Sequence, residues 1–134
     1  MKTSTNALTA RYCASRGWQS ELVQSWRGKV RHDLFGIADS IVLHPDALLL
    51  VQNCSYGTLK AHRDNIDANP RLEWFDRHPV SIQLWEWRKK RDGRARAMWF
   101  LRSQTRSFLM GDKASWGELS DWEGPLDLYG KRDA

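Results

Sequence analysis

What most constrains this chain is the order of patterns between Gly36 and Trp87. Residues 36–44 (GIADSIVLH) and 47–54 (ALLLVQNC) are two apolar runs separated only by Pro45-Asp46. Runs rich in Ile, Val and Leu suit a pleated backbone, and Pro-Asp sets a tight turn, so the pair predicts a hairpin. Residues 58–67 (TLKAHRDNID) and 70–77 (PRLEWFDR) are helical in composition, with Leu59, Ile66, Leu72, Trp74 and Phe75 as a limited apolar face. Residues 80–87 (VSIQLWEW) alternate strongly and form another strand. Strand, helix and strand in that order predict a parallel pairing through a right-handed crossover, hence a mixed sheet covered by helices.

The flanking segments extend this frame. Residues 3–16 carry Ala7, Leu8, Arg11, Tyr12 and Ala14 at helical spacing, with Gly17 as C-cap and Leu8 and Tyr12 towards the core. Residues 18–26 (WQSELVQSW) alternate, placing Trp18, Ser20, Leu22, Gln24 and Trp26 on one side of a strand and Glu21 on the other. Residues 27–33 read as a basic turn. The segment RKKRDGR turns at Asp92-Gly93, and residues 95–102 (ARAMWFLR) return as the last strand. The order is α-β-β-β-α-β-β, an α/β class. From Ser103 the glycines Gly111, Gly117 and Gly124 with Pro125 predict an irregular extension, giving a domain over 1–102 and an extension over 103–134. Trp85 and Trp99 are expected in the core, Trp87 partly exposed beside the arginines, and Trp116 and Trp122 at an interface.

A chain of 134 residues can bury a core of its own. Cys13 and Cys54 stand far apart, and His32, His44, His62 and His78 show no ligand spacing with them, which argues against a disulfide framework or a zinc site. A reducing compartment, a cytoplasmic location and no membrane association are the expectations, since no apolar leader or long apolar run is visible.

Two features carry chemistry. Arg88, Lys89, Lys90, Arg91, Arg94 and Arg96 cluster against one acid, Asp92, in a chain of net charge +5. Such a cluster attracts phosphate, although solvated basic hairpins are also common. The second feature is the polar end of the hairpin: Asp39 interrupts one apolar strand, and Gln52 and Cys54 share a face of the next. A buried carboxylate is costly unless it is paired, hydrogen-bonded or bound to a metal. Either Asp39 bonds nearby backbone or an arginine while Gln52 and Cys54 are semi-buried, or Asp39, Gln52 and the Asn53 carbonyl form a hard-oxygen site suited to Mg²⁺.

The string RHDLFGIADSIVLHPDALLLVQNCS, the following HRDNI and QLWEWRKKRDGRARAMWFLR resemble the small phage and bacterial Holliday-junction-resolvase-like proteins of the PD-(D/E)XK nuclease superfamily, over roughly residues 7–102. The resemblance implies a restriction-endonuclease-like αβββαβ core and a Mg²⁺ or Mn²⁺ cofactor. It makes Asp39 the metal-binding Asp of the second strand, Gln52 the Glu/Gln of the third, Asn53 the intervening residue whose carbonyl completes the metal site, and Cys54 the occupant of the family's lysine position. A neutral thiol cannot replace the charge a lysine offers near phosphorus. Lys60, early in the next helix, is the candidate replacement. The first helix offers no acid between Met1 and Arg16, and Asp33 and Glu21 are the candidate additional acids, Asp33 preferred for its place in DLFG.

Two functions follow. One is a metal-dependent endonuclease on branched or structured DNA, with Asp39, Gln52, Asn53, Cys54, Lys60 and Asp33 at the site and Arg31, Arg63 and the Arg88–Arg96 hairpin on phosphates; the resemblance implies a homodimer. The other is a nuclease-fold protein that has lost catalysis and binds DNA or a protein partner.

Overall fold

The computed structural model describes residues 3–91, 93, 96–107 and 114–128. Helix α1 (Thr5–Ser15) starts at Ser4, whose hydroxyl accepts the Ala7 N–H, and ends ahead of Gly17, where φ is 76°. Strands β1 (Gln19–Leu22), β2 (Ser25–Arg27), β3 (Val30–His32), β4 (Ser40–His44) and β5 (Ala47–Ser55) follow. After them come α2 (Leu59–Asp67), α3 (Leu72–Phe75), β6 (Ser81–Lys90), β7 (Met98–Ser107), β8 (Ser115–Trp116) and β9 (Glu123–Leu126).

The sheet runs β1-β4-β5-β6-β7-β8, with β9 also on β7. Among the described residues only β5 and β6 pair in parallel, through the α2–α3 crossover, and the remaining pairs are antiparallel. This is the mixed sheet flanked by helices that the segment order predicts. Helix α1 covers one face, where Leu8, Tyr12 and Cys13 pack with Val42, Leu49, Val51, Trp85, Trp87 and Leu101. Helices α2 and α3 cover the other, where Leu59, Ile66 and Leu72 meet Leu50, Cys54, Ile82 and Leu84. Leu8 and Tyr12 face the core as expected. Among the described residues no helix is long and apolar enough to cross a membrane.

Several local expectations are corrected. The strand over 18–26 stops at Leu22, because β4 offers partners only from Leu43 back to Ser40. The chain then leaves the sheet, and the basic turn over 27–33 becomes half of a two-stranded ribbon, Ser25–Arg27 against Val30–His32, reversed at Gly28 with φ 65°. Trp26, expected beside Trp18 on the strand's face, lies on that ribbon and is 66% exposed. The strand over 36–44 begins only at Ser40, since residues 34–38 form a tight turn closed by a Leu34–Ala38 bridge. Trp87, expected beside the arginines, is fully buried against α1, its indole N–H donating to Thr9 Oγ1 at 3.2 Å.

A further correction concerns the C-terminal part. Strand β7 runs past Arg102 to Ser107, and β8 and β9 pair with it. Tyr12 Oη donates to Glu123 Oε1 at 2.8 Å, and Leu128 is part of the core on the α1 face. A Cβ at Gly124 would sit 2.6 Å from the Phe100 ring, so only glycine allows β9 this approach. The predicted turn of the basic hairpin falls at Gly93, φ 80°; Asp92 and Arg94 lie outside the described residues.

Candidate metal and nucleic-acid site

Asp39 stands at the entrance to β4, held on both sides by backbone. Its N–H donates to Val51 O and its carbonyl accepts from Val23 N, both at 3.0 Å. The carboxylate is 4% exposed and receives the Asn53 N–H at Oδ1, 3.1 Å, and Gln52 Nε2 at Oδ2, 3.1 Å. These donors are neutral, so they solvate the group without cancelling its charge. Burial pushes the carboxyl up to about 7; the Asn53 N–H opposes that shift, the charge of Asp33 adds to it, and Arg31 opposes it more weakly.

Strand periodicity then separates the three residues of the QNC string. Gln52 and Cys54 point to the α2 face, as the alternation predicts, and Asn53 to the α1 face. Cys54 is fully buried in the apolar cluster of Leu50, Leu59 and Ile66, with Sγ 3.6 Å from Gln52 O. Burial drives its thiol far above the usual range, with the charges of Asp39 and Glu86 adding to the shift. It is a packed thiol, neither a nucleophile nor a substitute for a cation.

Asn53 opens a second polar chain. Its Oδ1 accepts from Thr9 Oγ1 at 2.5 Å, and its Nδ2 donates to Asn6 Oδ1 at 2.8 Å and Ser40 Oγ at 3.2 Å. Asn6 Nδ2 donates to Gln24 Oε1 at 3.3 Å, and Gln24 Nε2 to Asp33 Oδ1 at 3.0 Å. The first helix, which carries no acid, therefore reaches the site through an amide and a hydroxyl. The signal was the i, i+3 pair Asn6 and Thr9 on the buried side of α1.

The other predicted residues fall in different places. Asp33 is half-buried and lies near both Asp39 and His62: its charge raises the Asp39 carboxyl, and it opposes the burial that lowers the imidazole of His62. Lys60 is exposed and its ammonium is held at 2.8 Å by Asp64, one helical turn on. Glu21 is exposed on the edge strand β1. Among the described residues no three His, Cys, Asp or Glu side chains converge in an arrangement that could hold a metal.

The basic residues form two groups. Arg31 lines an open cleft of about 750 Å³ with Arg27, His32, Asp33, Phe35 and Arg71. Arg88, Lys89 and Lys90 extend β6 beyond Ser55, the end of β5, so they project from the same end of the sheet as Gln52. Each lies over an aromatic ring: Arg88 on Tyr56 at 4.3 Å, Lys89 on Trp99 at 5.6 Å, Lys90 on Phe100 at 4.9 Å. Arg91 and Arg96 are exposed, and Arg94 lies outside the described residues. Arg63 is instead drawn inward, donating to Gln104 Oε1 at 2.9 Å.

Glu86 was missed. It reads as the polar member of an alternating WEW string, yet both faces of β6 are covered and it is almost fully buried, in register with Cys54. Its Oε1 accepts from Arg102 Nε at 2.6 Å and its Oε2 from Gly57 N at 2.9 Å, which fixes the entry to α2. A tight Asp92-Gly93 turn would set Glu86 opposite Trp99; the longer loop shifts the register and brings Arg102 across from it, which is why the pair is not legible in the sequence. Comparisons with protein-family models, curated proteins and solved structures give no match.

Proposed function

We propose that the protein is a divalent-cation-dependent endonuclease of branched or structured DNA, built on a restriction-endonuclease-like core. Its support in the fold is the order α1-β1-β4-β5-α2-β6, with α1 and α2 on opposite faces of the sheet. The observation that carries the reading is the convergence of Asp39, from the start of β4, with Gln52 and the Asn53 amide, from the end of β5, around one buried carboxylate that has a second, Asp33, nearby.

The donor chemistry fits a hard cation. Asp39 and Asp33 offer carboxylate oxygens and Gln52 an amide oxygen, the ligand type that Mg²⁺ and Mn²⁺ prefer. Holding the ion requires Gln52 to present Oε1 in place of the Nε2 that now faces Asp39. A divalent cation in such a site supplies Lewis acidity towards a phosphodiester. The chain's own residues do the rest: Asn53 N–H fixes the Asp39 carboxylate, and Arg31 with Arg88, Lys89 and Lys90 neutralise the DNA backbone on either side. Two copies acting as a homodimer would cut a junction symmetrically.

A second reading, binding to DNA or a protein without cleavage, is favoured by Cys54 and Lys60. The thiol is uncharged in an apolar cluster and the ammonium is engaged by Asp64. The experiment is incubation of the protein with a four-way junction, a linear duplex and single-stranded DNA in Mg²⁺, Mn²⁺ or EDTA, beside Asp39→Ala. Products that need metal and disappear in the variant support the nuclease. Salt-sensitive junction binding without products at any metal concentration supports the second reading.

A further inference from the structure

The turn between β3 and β4 carries an unusual residue. Phe35 has φ 54°, the only positive φ outside glycine among the described residues, and the residue is 51% exposed. A bulky side chain in the left-handed region is strained, and an exposed ring gains little burial to offset that. The surroundings hold it there. Gly36 follows at φ 75°, where an added Cβ would meet Asn69 Nδ2 at 3.0 Å, and the same Nδ2 donates to Phe35 O at 3.0 Å.

The ring stands at the junction of two clefts. On one side, Phe35, Trp74, Phe75, Arg71 and His78 enclose a mostly apolar pocket of about 330 Å³. Phe75 meets Phe35 edge to face at 5.5 Å, Arg71 lies 5.6 Å over the Phe35 ring, and Arg77 lies 4.2 Å over Trp74. On the other side is the wider cleft of Arg27, Arg31 and His32, which shares Phe35 and Arg71 with the pocket. Aromatic faces next to a row of cations match a ligand that is itself a flat ring attached to an anion.

We propose that Phe35 and its pocket bind an unpaired nucleobase, with the adjoining phosphates in the Arg27, Arg31 and Arg71 cleft. The ligand class is therefore single-stranded nucleic acid, or the unpaired nucleotides of a branched one, because the faces of bases within a duplex are already stacked. This rests on the nucleic-acid reading above and names what its substrate must contain. Arg71 serves both clefts, which orients the strand from base to backbone.

The test is fluorescence anisotropy of a labelled oligothymidylate and of a labelled duplex, in EDTA so that cleavage plays no part. The parent is expected to prefer the single strand. Phe35→Leu, which keeps apolar bulk but removes the stacking face, is expected to weaken single-strand binding about tenfold, while Phe35→Tyr retains it; unchanged thermal midpoints show that both variants fold. Arg71→Ala is expected to lower the slope of affinity against salt by about one phosphate contact. Equal affinity for duplex and single strand, or Phe35→Leu binding as well as the parent, overturns the inference. Phe35-dependent binding without metal-dependent products would leave this site standing and refute only the nuclease reading; products together with a silent Phe35 would do the reverse.

Discussion

Replacing Asp39 by Asn isolates the cost of the buried charge. The side chain keeps its shape and an oxygen for the Asn53 N–H, Gln52 can turn its amide oxygen to the new Nδ2, and what is lost is the charge of a carboxyl that burial raises from 3.8 to about 7. Because the folded value lies above the unfolded one, the native state binds this proton more tightly, and stability falls as pH rises. Below about pH 4 the group is protonated in both states and costs little. Between about 4 and 7 the penalty grows, and above 7 it is complete, with a ceiling of about 4 kcal/mol at about 1.4 kcal/mol per unit. Local relaxation reduces this, so about 2 kcal/mol is the working figure, or roughly 5–10 °C in Tm for a domain of this size. The assay is thermal unfolding of parent and Asp39→Asn near pH 4, 6 and 8. The variant should be the more stable at pH 8, with the gap closing towards pH 4. A gap independent of pH, or a less stable variant at pH 8, refutes the reasoning. Mg²⁺ adds a second arm: binding to the native site should raise the parent's Tm at pH 8 and leave Asp39→Asn unmoved.

Three further outcomes follow from the packing. Glu86→Ala removes the carboxylate that receives Arg102 and the Gly57 N–H, and thermal or urea unfolding should show a loss of about 3 kcal/mol, since a mostly buried ion keeps its desolvation cost without its partner; a loss below about 1 kcal/mol would contradict that pairing. Cys54 should resist alkylation in the native protein at mildly alkaline pH and react once unfolded, as its thiol is sealed and held neutral; rapid native labelling mapped to Cys54 by mass spectrometry would show that the cluster opens. Lys60→Ala should leave any metal-dependent cleavage rate close to the parent's, because its ammonium is engaged by Asp64; a fall of ~10²- to 10³-fold would instead give Lys60 a positioned charge at phosphorus.

What the sequence disclosed depends on where each segment finds its partners. The hairpin across Pro45-Asp46, which spans Ser40–His44 and Ala47–Ser55, and the parallel return at Ser81 were legible because apolar patterning and a Pro-Asp turn act locally, although the first strand starts later than its apolar run. The strand over 18–26 was misjudged because its length is set by β4, which has no partner residues beyond Ser40. The C-terminal strands were hidden for a related reason. Gly124 looks like a breaker in the sequence, whereas here the missing Cβ lets the chain approach Phe100. At the site, Asp39 and Gln52 were visible as polar residues in apolar runs. Asn6 and Thr9 share one side of α1 by spacing alone, but only the folded chain joins them, with Gln24, into one network with Asn53 and Asp33.

That network also explains why the two proposed sites belong together. Asp33, Phe35 and Asp39 lie on one short segment, DLFGIAD, closed on itself by Leu34 N to Ala38 O at 2.7 Å and Gly36 N to Asp33 O at 3.1 Å. With Asp33 tied through Gln24 and Asn6 to α1, and Asp39 tied to β5 at Asn53, the ends of the turn are fixed and its middle must bulge outward. The left-handed Phe35 is the residue at that bulge, so the strain presenting its ring and the geometry positioning the two carboxylates share one cause. A base held on Phe35 would place the adjoining backbone beside Asp33, which lines the same cleft as Arg31. Phe35→Gly adopts this φ without strain and keeps the hydrogen bonds that fix both ends, so it should remove the stacking surface and leave the spacing of Asp33 and Asp39. Like Phe35→Leu it should impair binding and not metal dependence, and joint loss of the two would refute the view that the turn is held by its ends.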